Sequence, residues 1–122
     1  MKVYALAVLL VCCIAQNASA DWRNDVKINH WQHINSIVND NLARIRKDVN
    51  AKGNTAAAQQ CYENARQELS TATSTGYSNV SACVRQANTV GEANVCSQKV
   101  DSWVFNVSLD VSSTARTCLA NI

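Results

Sequence analysis

Four of the six cysteines are placed symmetrically along the chain. They are Cys61, Cys83, Cys96 and Cys118, separated by 22, 13 and 22 residues. The outer pair and the inner pair therefore share one midpoint, between residues 89 and 90. Two antiparallel helices joined by a turn at that midpoint would bring each pair together. The spacing predicts a helical hairpin that is clamped twice by disulfides.

Helix length separates the two plausible disulfide pairings. On a continuous helix, which rises about 1.5 Å per residue, positions 22 residues apart lie about 33 Å apart. That distance excludes a bond between Cys61 and Cys83, and equally between Cys96 and Cys118. We therefore predict the nested pairing, Cys61–Cys118 and Cys83–Cys96. The sequential pairing is the alternative, and it requires broken helices.

Residues 1–20 have the pattern of a secretory signal peptide. Lys2 supplies a positive start, residues 3–14 form an apolar core, and residues 18–20 are small, as at a cleavage site. The apolar run is shorter than the roughly 20 residues that cross a bilayer. We expect a secreted, extracellular mature chain, residues 21–122, which forms a single helical domain.

Composition favours an all-helical fold. The chain has three glycines and no proline, so it has few residues suited to the tight turns of an all-β protein. Cys12 and Cys13 leave with the predicted leader, and the remaining even number of cysteines is typical of an exported disulfide framework. Without Lys2 the net charge falls from +2 to about +1, which does not favour nucleic acid or stable membrane insertion.

Three segments repeat apolar residues at steps of three and four, as amphipathic helices do. In residues 22–52 the stripe is Trp31, Ile34, Val38, Leu42, Ile45 and Val49. In residues 55–90 it is Cys61, Ala65, Leu69, Ala72, Gly76, Val80 and Cys83. In residues 92–119 it is Cys96, Val100, Trp103, Val107, Val111, Thr114 and Cys118. We predict an all-α fold, in which a disulfide-clamped antiparallel hairpin carries the long first helix packed on it as a three-helix bundle.

Two stretches leave the helical prediction open. Ser70–Ser78 is rich in residues that compete for backbone hydrogen bonds, so the second helix could break there. If it does not break, the symmetry places Gly76 opposite Trp103, a small residue facing a large one. Residues 105–111 alternate apolar and polar side chains, which is also the pattern of a half-buried strand. We favour a helix there because no partner strand is evident.

The residues that could carry chemistry are few. His30 and His33 lie on one side of the first helix, but no third ligand stands one turn away from either. We interpret them as helix-surface histidines and predict no metal site. No Ser/His/Asp arrangement is present, and the carboxylates are dispersed along the helices. We predict no catalytic residues, no cofactor and no enzymatic activity.

A second face of the first helix is the candidate interaction surface. It lies roughly opposite the Trp31–Val49 stripe and consists of Trp22, Val26, His30, His33 and Ile37. A helix with two apolar faces either lies in a larger core or presents one face to a partner. A frayed N-terminus with scattered apolar residues is the alternative interpretation.

Two acceptor sequons predict N-glycosylation, Asn79-Val80-Ser81 and Asn106-Val107-Ser108. Asn106 lies about 100° from the centre of the apolar stripe of its helix, so a glycan there would reach solvent. Asn79 lies nearer its stripe and is the poorer candidate.

The cysteine-containing segments resemble those of small secreted helical proteins of insects, and among these the TsetseEP-domain family. The similarity rests on Cys61-Tyr62-Glu63-Asn64-Ala65, Ser81-Ala82-Cys83 and the final Cys118-Leu119. It implies a secreted helical protein linked with host defence in the gut or in secretions, with no catalytic residues. We therefore expect a non-enzymatic extracellular binding protein whose partner is an unidentified protein or a second copy of the chain. A small carrier of a lipid or other hydrophobic ligand is the alternative.

Overall fold

The computed structural model describes the backbone of residues 2–122 and the side chains of residues 22–122. Three helices follow one another along the chain: α1 (Lys2–Ala51), α2 (Ala56–Gln86) and α3 (Val90–Ala120). Each packs against the other two, and no strand occurs in the described part of the chain. The predicted all-α three-helix bundle is therefore confirmed. The predicted signal peptide and its cleavage site lie outside the residues whose side chains are described.

Short capped turns connect the helices. Gly53 has a φ of 81°, the left-handed conformation that glycine adopts without strain, and it follows the end of α1. Thr55 begins α2 as its N-cap, because its side chain accepts a hydrogen bond from the Ala58 N–H at 3.1 Å. Thr89 caps α3 in the same way through the Glu92 N–H.

Both disulfides have the nested pairing. Cys61 is bonded to Cys118, and Cys83 to Cys96, with Cα–Cα distances of 5.8 and 5.6 Å. The outer bridge joins residues 57 positions apart, the inner one residues 13 positions apart. The predicted symmetry therefore corresponds to an antiparallel α2–α3 hairpin that is fixed near both of its ends.

The second helix is continuous through Ser70–Ser78. Hydroxyl groups in this stretch donate to the carbonyl four residues earlier, Thr71 to Gln67 and Thr73 to Leu69, so they are satisfied without breaking the helix. The full predicted stripe of α2 is buried. Residues 105–111 are helical as well, which excludes the alternative strand.

The buried face of α3 differs from the prediction. Val100 and Val111 are buried, but Cys96, Trp103 and Thr114 are exposed. The buried residues are instead Ala93, Ser97, Val100, Asp101, Val104, Ser108, Val111, Ser112, Ala115 and Leu119. At about 100° per residue this face is rotated by roughly 80° from the predicted stripe. The reason is that α3 must cover α1 as well as α2, which leaves its cysteines at the edge of the buried face.

The rotation also changes what fills the space beside Gly76. A Cβ added there would lie 3.0 Å from Val104 Cγ2 and 3.2 Å from Ile34 Cδ1. The prediction that Trp103 packs over Gly76 is therefore wrong. Gly76 is the point at which α2 approaches side chains of both α1 and α3, and a larger residue would push them apart.

Polar groups of α1 fix its position on α2. The Arg23 guanidinium donates to the carbonyl oxygens of Val84 and Ala87 at 2.6 and 2.8 Å, at the C-terminal end of α2. Those carbonyls have no partner within the helix, and their partial negative charge favours a cation. About two helical turns further along α1, the Trp31 ring stacks on Tyr77 with centroids 4.9 Å apart. These contacts set the register of α1 along the hairpin.

Candidate functional site

The predicted interaction face of α1 packs mainly against α3. Val26 and His30 are 7% and 9% exposed, Trp22 and Ile37 are half-buried, and His33 alone is exposed. The prediction of an open contact face is therefore wrong for Val26 and His30. Because α1 packs along the groove formed by both helices of the hairpin, it buries one apolar side against each of them. Its two apolar faces are explained by this position in the bundle.

A histidine–aspartate cluster lies at the contact between α1 and α3. His30 Nδ1 lies 2.7 Å from Asp101 Oδ2, and His33 Nδ1 lies 3.1 Å from the same oxygen. On its other side, His30 Nε2 lies 3.1 Å from Asn94 Oδ1. The side chains of His30 and Asp101 are 11% and 9% exposed, whereas that of His33 is 61% exposed. The interpretation of both histidines as surface residues therefore holds only for His33.

This cluster joins α1 to α3 through hydrogen bonds between largely buried side chains. Both ring nitrogens of His30 lie within hydrogen-bond distance of an oxygen atom, Nδ1 of Asp101 Oδ2 and Nε2 of Asn94 Oδ1. The Asp101 carboxylate accepts from two rings through Oδ2, while its buried Oδ1 has no hydrogen-bond partner. A buried carboxylate that loses these donors would be strongly destabilised. The arrangement positions α1 on α3.

A further polar contact continues along the same helix pair. Ser112 Oγ donates to Asn41 Oδ1 at 2.9 Å, and the Asn41 amide in turn donates to the Ile37 carbonyl. Ser97 and Ser108 are fully buried on the same side of α3, and neither hydroxyl has a partner. The buried surface of α3 is therefore unusually polar, which weakens its attachment to α1.

The described residues contain no group of three or more side chains that could hold a metal ion. His30, His33 and Asp101 meet at one carboxylate oxygen through hydrogen bonds. The four cysteines of the described part are all in disulfides, so they supply neither a ligand nor a nucleophile.

An open groove between α1 and α3 lies directly over the cluster. It has a volume of about 500 Å³ and is lined by His33, Ile37, Asp101, Ser102, Phe105 and Asn106. The Phe105 side chain is 49% exposed, and Leu109, one turn further along α3, is 47% exposed. The groove thus combines apolar surface with polar groups at its base and edge.

The exposed apolar residues are concentrated on one helix. Of the seven large apolar side chains that are exposed in the described part of the chain, five belong to α3. Val95 and Trp103 are 57% and 42% exposed, and Lys99 lies exposed between them. Steps of four residues place these three in one row on the helix surface, which we name the Trp103 ridge. The ridge adjoins the α1–α3 groove, because Ser102 and Asn106, which line the groove, each lie three residues after a ridge residue, Lys99 and Trp103.

Both sequon asparagines are exposed. Asn106 lines the α1–α3 groove, and Asn79 lies on α2. Asn79 is exposed although its neighbour Val80 belongs to the buried stripe of α2 and is fully buried.

The part of α3 that sequence reasoning missed is its buried polar row. Ser97, Asp101, Ser108 and Ser112 are separated by four, seven and four residues, which is the period of a helix face. The predicted stripe followed the two cysteines and the large apolar residues between them, so this row did not contribute. The same steps, applied to small and polar residues, mark the observed face as a second candidate, but they do not show which face is buried or that Asp101 faces α1.

No known family, no curated protein and no solved structure matches this chain. Among the described residues, no helix has the length and apolar character required to cross a membrane. The surface and the packing of this bundle are therefore the features that bear on its function.

Proposed function

We propose that this protein is secreted, carries N-linked glycan and acts without catalysis, by binding a partner outside the cell. The leader-like residues 1–20 and the two disulfides support an exported protein, because disulfides persist in oxidising compartments. The resemblance to the TsetseEP-domain family further suggests a role in host defence, in the gut or in secretions.

The observation that carries the proposal is the Trp103 ridge. Tryptophan is the residue type most enriched at the energetic centres of protein interfaces, and here it stands 42% exposed on a regular helix. Lys99 next to it forms no salt bridge with any described side chain. The partner that fits this surface is a protein with an apolar pocket for the indole and a carboxylate at its rim.

The disulfides make this ridge a suitable binding surface. The inner bridge bonds α3 to α2 at Cys96, next to Val95 and two helical turns before Trp103. A surface held in place before binding loses less conformational entropy when it meets its partner. The clamped hairpin therefore presents the ridge in a fixed orientation.

No observation favours the alternative, a carrier of a hydrophobic ligand. A carrier requires a cavity of about 300 Å³ or more that encloses most of its ligand. The larger cavities among the described side chains are surface grooves, and the core at Gly76 is filled by Ile34 and Val104. The absence of an enclosed cavity among the described side chains supports binding through the outer surface of α3 over a carrier role.

Site-specific photo-crosslinking tests the proposal. A photo-reactive amino acid is introduced at position 99 of the full-length chain, which is then irradiated in the extracellular fluid of its source. We expect one dominant covalent adduct, and we expect W103S to reduce it at least tenfold because the indole anchor is lost. The same photo-reactive group at Lys47, exposed on α1, should give none.

A matched substitution controls for loss of apolar surface in general. Ile28 is 41% exposed on α1, so I28S removes a comparable exposed side chain far from the ridge. The I28S chain should keep the adduct from position 99. Equal adducts from positions 47 and 99, or an adduct that W103S leaves unchanged, would show that the ridge is not the contact surface.

A further inference from the structure

We propose that an N-linked glycan on Asn106 occupies the α1–α3 groove and covers Phe105 and Leu109. The inference rests on the secretion proposed above, because the sugar is transferred only to chains that enter the secretory pathway. It assigns a modification to one of the two sequons and a structural role to the sugar. It also explains why two large apolar side chains lie uncovered on this side of α3.

The position of Asn106 relative to the groove is the first support. Asn106 is exposed and lines the groove, so its amide nitrogen can carry a bulky group without disturbing the core. Phe105 is its neighbour in sequence, and Leu109 lies three residues further on, where side chains share one face of a helix. The attachment point is therefore at the edge of this apolar surface.

The chemistry of a sugar fits the groove. One face of a pyranose ring is made of C–H groups, which can lie on the Phe105 ring and the Leu109 side chain. Its edge carries hydroxyl groups, and Ser102 and the 61% exposed His33 side chain supply polar partners at the border of the groove. The groove volume of about 500 Å³ accommodates the first sugars of a glycan.

The second sequon lacks this environment. Asn79 is exposed on α2, but none of the exposed large apolar side chains in the described part of the chain belongs to α2. A glycan on Asn79 would extend into water without covering apolar surface. Asn79 therefore provides a matched control within the same protein.

The helix also determines when the sugar is attached. Residues two positions apart point to opposite sides of a helix, and Ser108 is fully buried while Asn106 is exposed. A transferase that reads both side chains must therefore act before α3 folds. The Asn106 amide nitrogen bonds to the anomeric carbon of a lipid-pyrophosphate-linked oligosaccharide. The anomeric C–O bond breaks, the lipid pyrophosphate leaves, and the amide loses one proton.

Intact mass and dye binding of the secreted full-length chain test this inference. The chain is produced in a secreting eukaryotic cell, and its mass is measured before and after enzymatic removal of N-glycans. We expect a glycan that N106Q abolishes. Removing it from the folded protein should raise the fluorescence of an apolar dye at least twofold, because Phe105 and Leu109 become accessible. The doubly substituted F105S/L109S chain should show no such rise.

Two controls separate the outcomes. N106Q, which never carries the sugar, should bind dye as strongly as the deglycosylated chain, while N79Q should leave dye binding unchanged. If the secreted chain carries no sugar on Asn106, or if deglycosylation does not change its dye fluorescence, the proposed role of the glycan is wrong. Either result is still consistent with secretion. Retention of the chain in the cell with its first 20 residues attached overturns the secretion itself, and the inference falls with it.

Discussion

Asp101 is the residue on which the contact between α1 and α3 depends most. Its carboxylate is 9% exposed and accepts from two histidines of α1 through one oxygen. The other oxygen, Oδ1, is buried without a partner. Hydrogen bonds that involve a charged group contribute more than neutral ones, and a buried donor left unsatisfied carries the full cost of its desolvation. The α1–α3 contact therefore depends on the Asp101 carboxylate, a buried residue that the spacing of apolar residues did not indicate.

We predict that D101A lowers the free energy of unfolding by about 2–3 kcal/mol, because it leaves the buried His30 without its acceptor. H33A should cost less than about 1 kcal/mol, since that side chain is 61% exposed. Urea unfolding followed by circular dichroism measures both. D110A is the control, because Asp110 is exposed on the same helix, and it should change stability by no more than about 0.5 kcal/mol. Equal effects of D101A and D110A would contradict the role of the cluster.

A second prediction concerns Gly76. Alanine has a higher helix propensity than glycine by about 1 kcal/mol, but a Cβ here would crowd Val104 and Ile34. G76A should therefore give no gain in stability in the wild-type chain, and a gain of about 1 kcal/mol in the V104A chain. Gly91, where the nearest atom to an added Cβ is 3.9 Å away, is the control, and G91A should stabilise in both chains. A G76A effect that is the same in both chains would show that the two residues are not in contact.

The helices differ in how well sequence predicts them. The period of α2 is carried by apolar residues, with Leu69 and Val80 fully buried, so its stripe and its disulfide geometry could both be predicted. The buried face of α3, in contrast, includes polar side chains. One of them, Asp101, has its hydrogen-bond donors on α1, where His30 is 71 residues away in sequence. Such long-range pairs have no local signal. The orientation of α3, the burial of His30 and the position of Trp103 therefore required the tertiary structure.

The two bridges should contribute unequally to the hairpin. In the loop-entropy model, a bridge that spans 57 residues contributes about 4 kcal/mol and one that spans 13 about 3 kcal/mol. The C61A/C118A chain should accordingly be less stable than the C83A/C96A chain by about 1 kcal/mol in guanidinium unfolding. The reverse order would show that native packing at the bridges, rather than chain entropy, sets their contribution.

Across the whole molecule, the helices are held together in two different ways, by disulfides between α2 and α3 and by non-covalent contacts alone for α1. In the described structure both disulfides join α2 to α3, and α1 is held only by packing and polar contacts. Part of its contact with α3 is polar, and buried hydroxyls on α3 have no partner. Regions with fewer strong contacts open at lower free energy than the rest of a protein. We therefore expect α1 to open from the disulfide-bonded hairpin at a lower free energy than the hairpin itself opens.

Native-state hydrogen exchange should reveal this difference. We predict that the amides of α1 between Val26 and Val49 exchange by an opening of lower free energy than those of α2 around Leu69. D101A should lower the opening free energy of α1 further while leaving the α2 amides nearly unchanged relative to global unfolding. Equal protection of α1 and α2 in the wild-type chain would show that the three helices open as one unit.

The central claim is that this bundle binds its partner through the Trp103 ridge. The chain has three tryptophans, and Trp22 and Trp31 are half-buried on α1, so they serve as internal references. In protein labelled with 5-fluorotryptophan, the ¹⁹F NMR spectrum should contain one resonance for each of them. On addition of the extracellular fluid of its source, we predict that the Trp103 resonance shifts or broadens while those of Trp22 and Trp31 stay in place. An unchanged Trp103 resonance, in a sample whose slowed tumbling shows that the protein is bound, would contradict the claim.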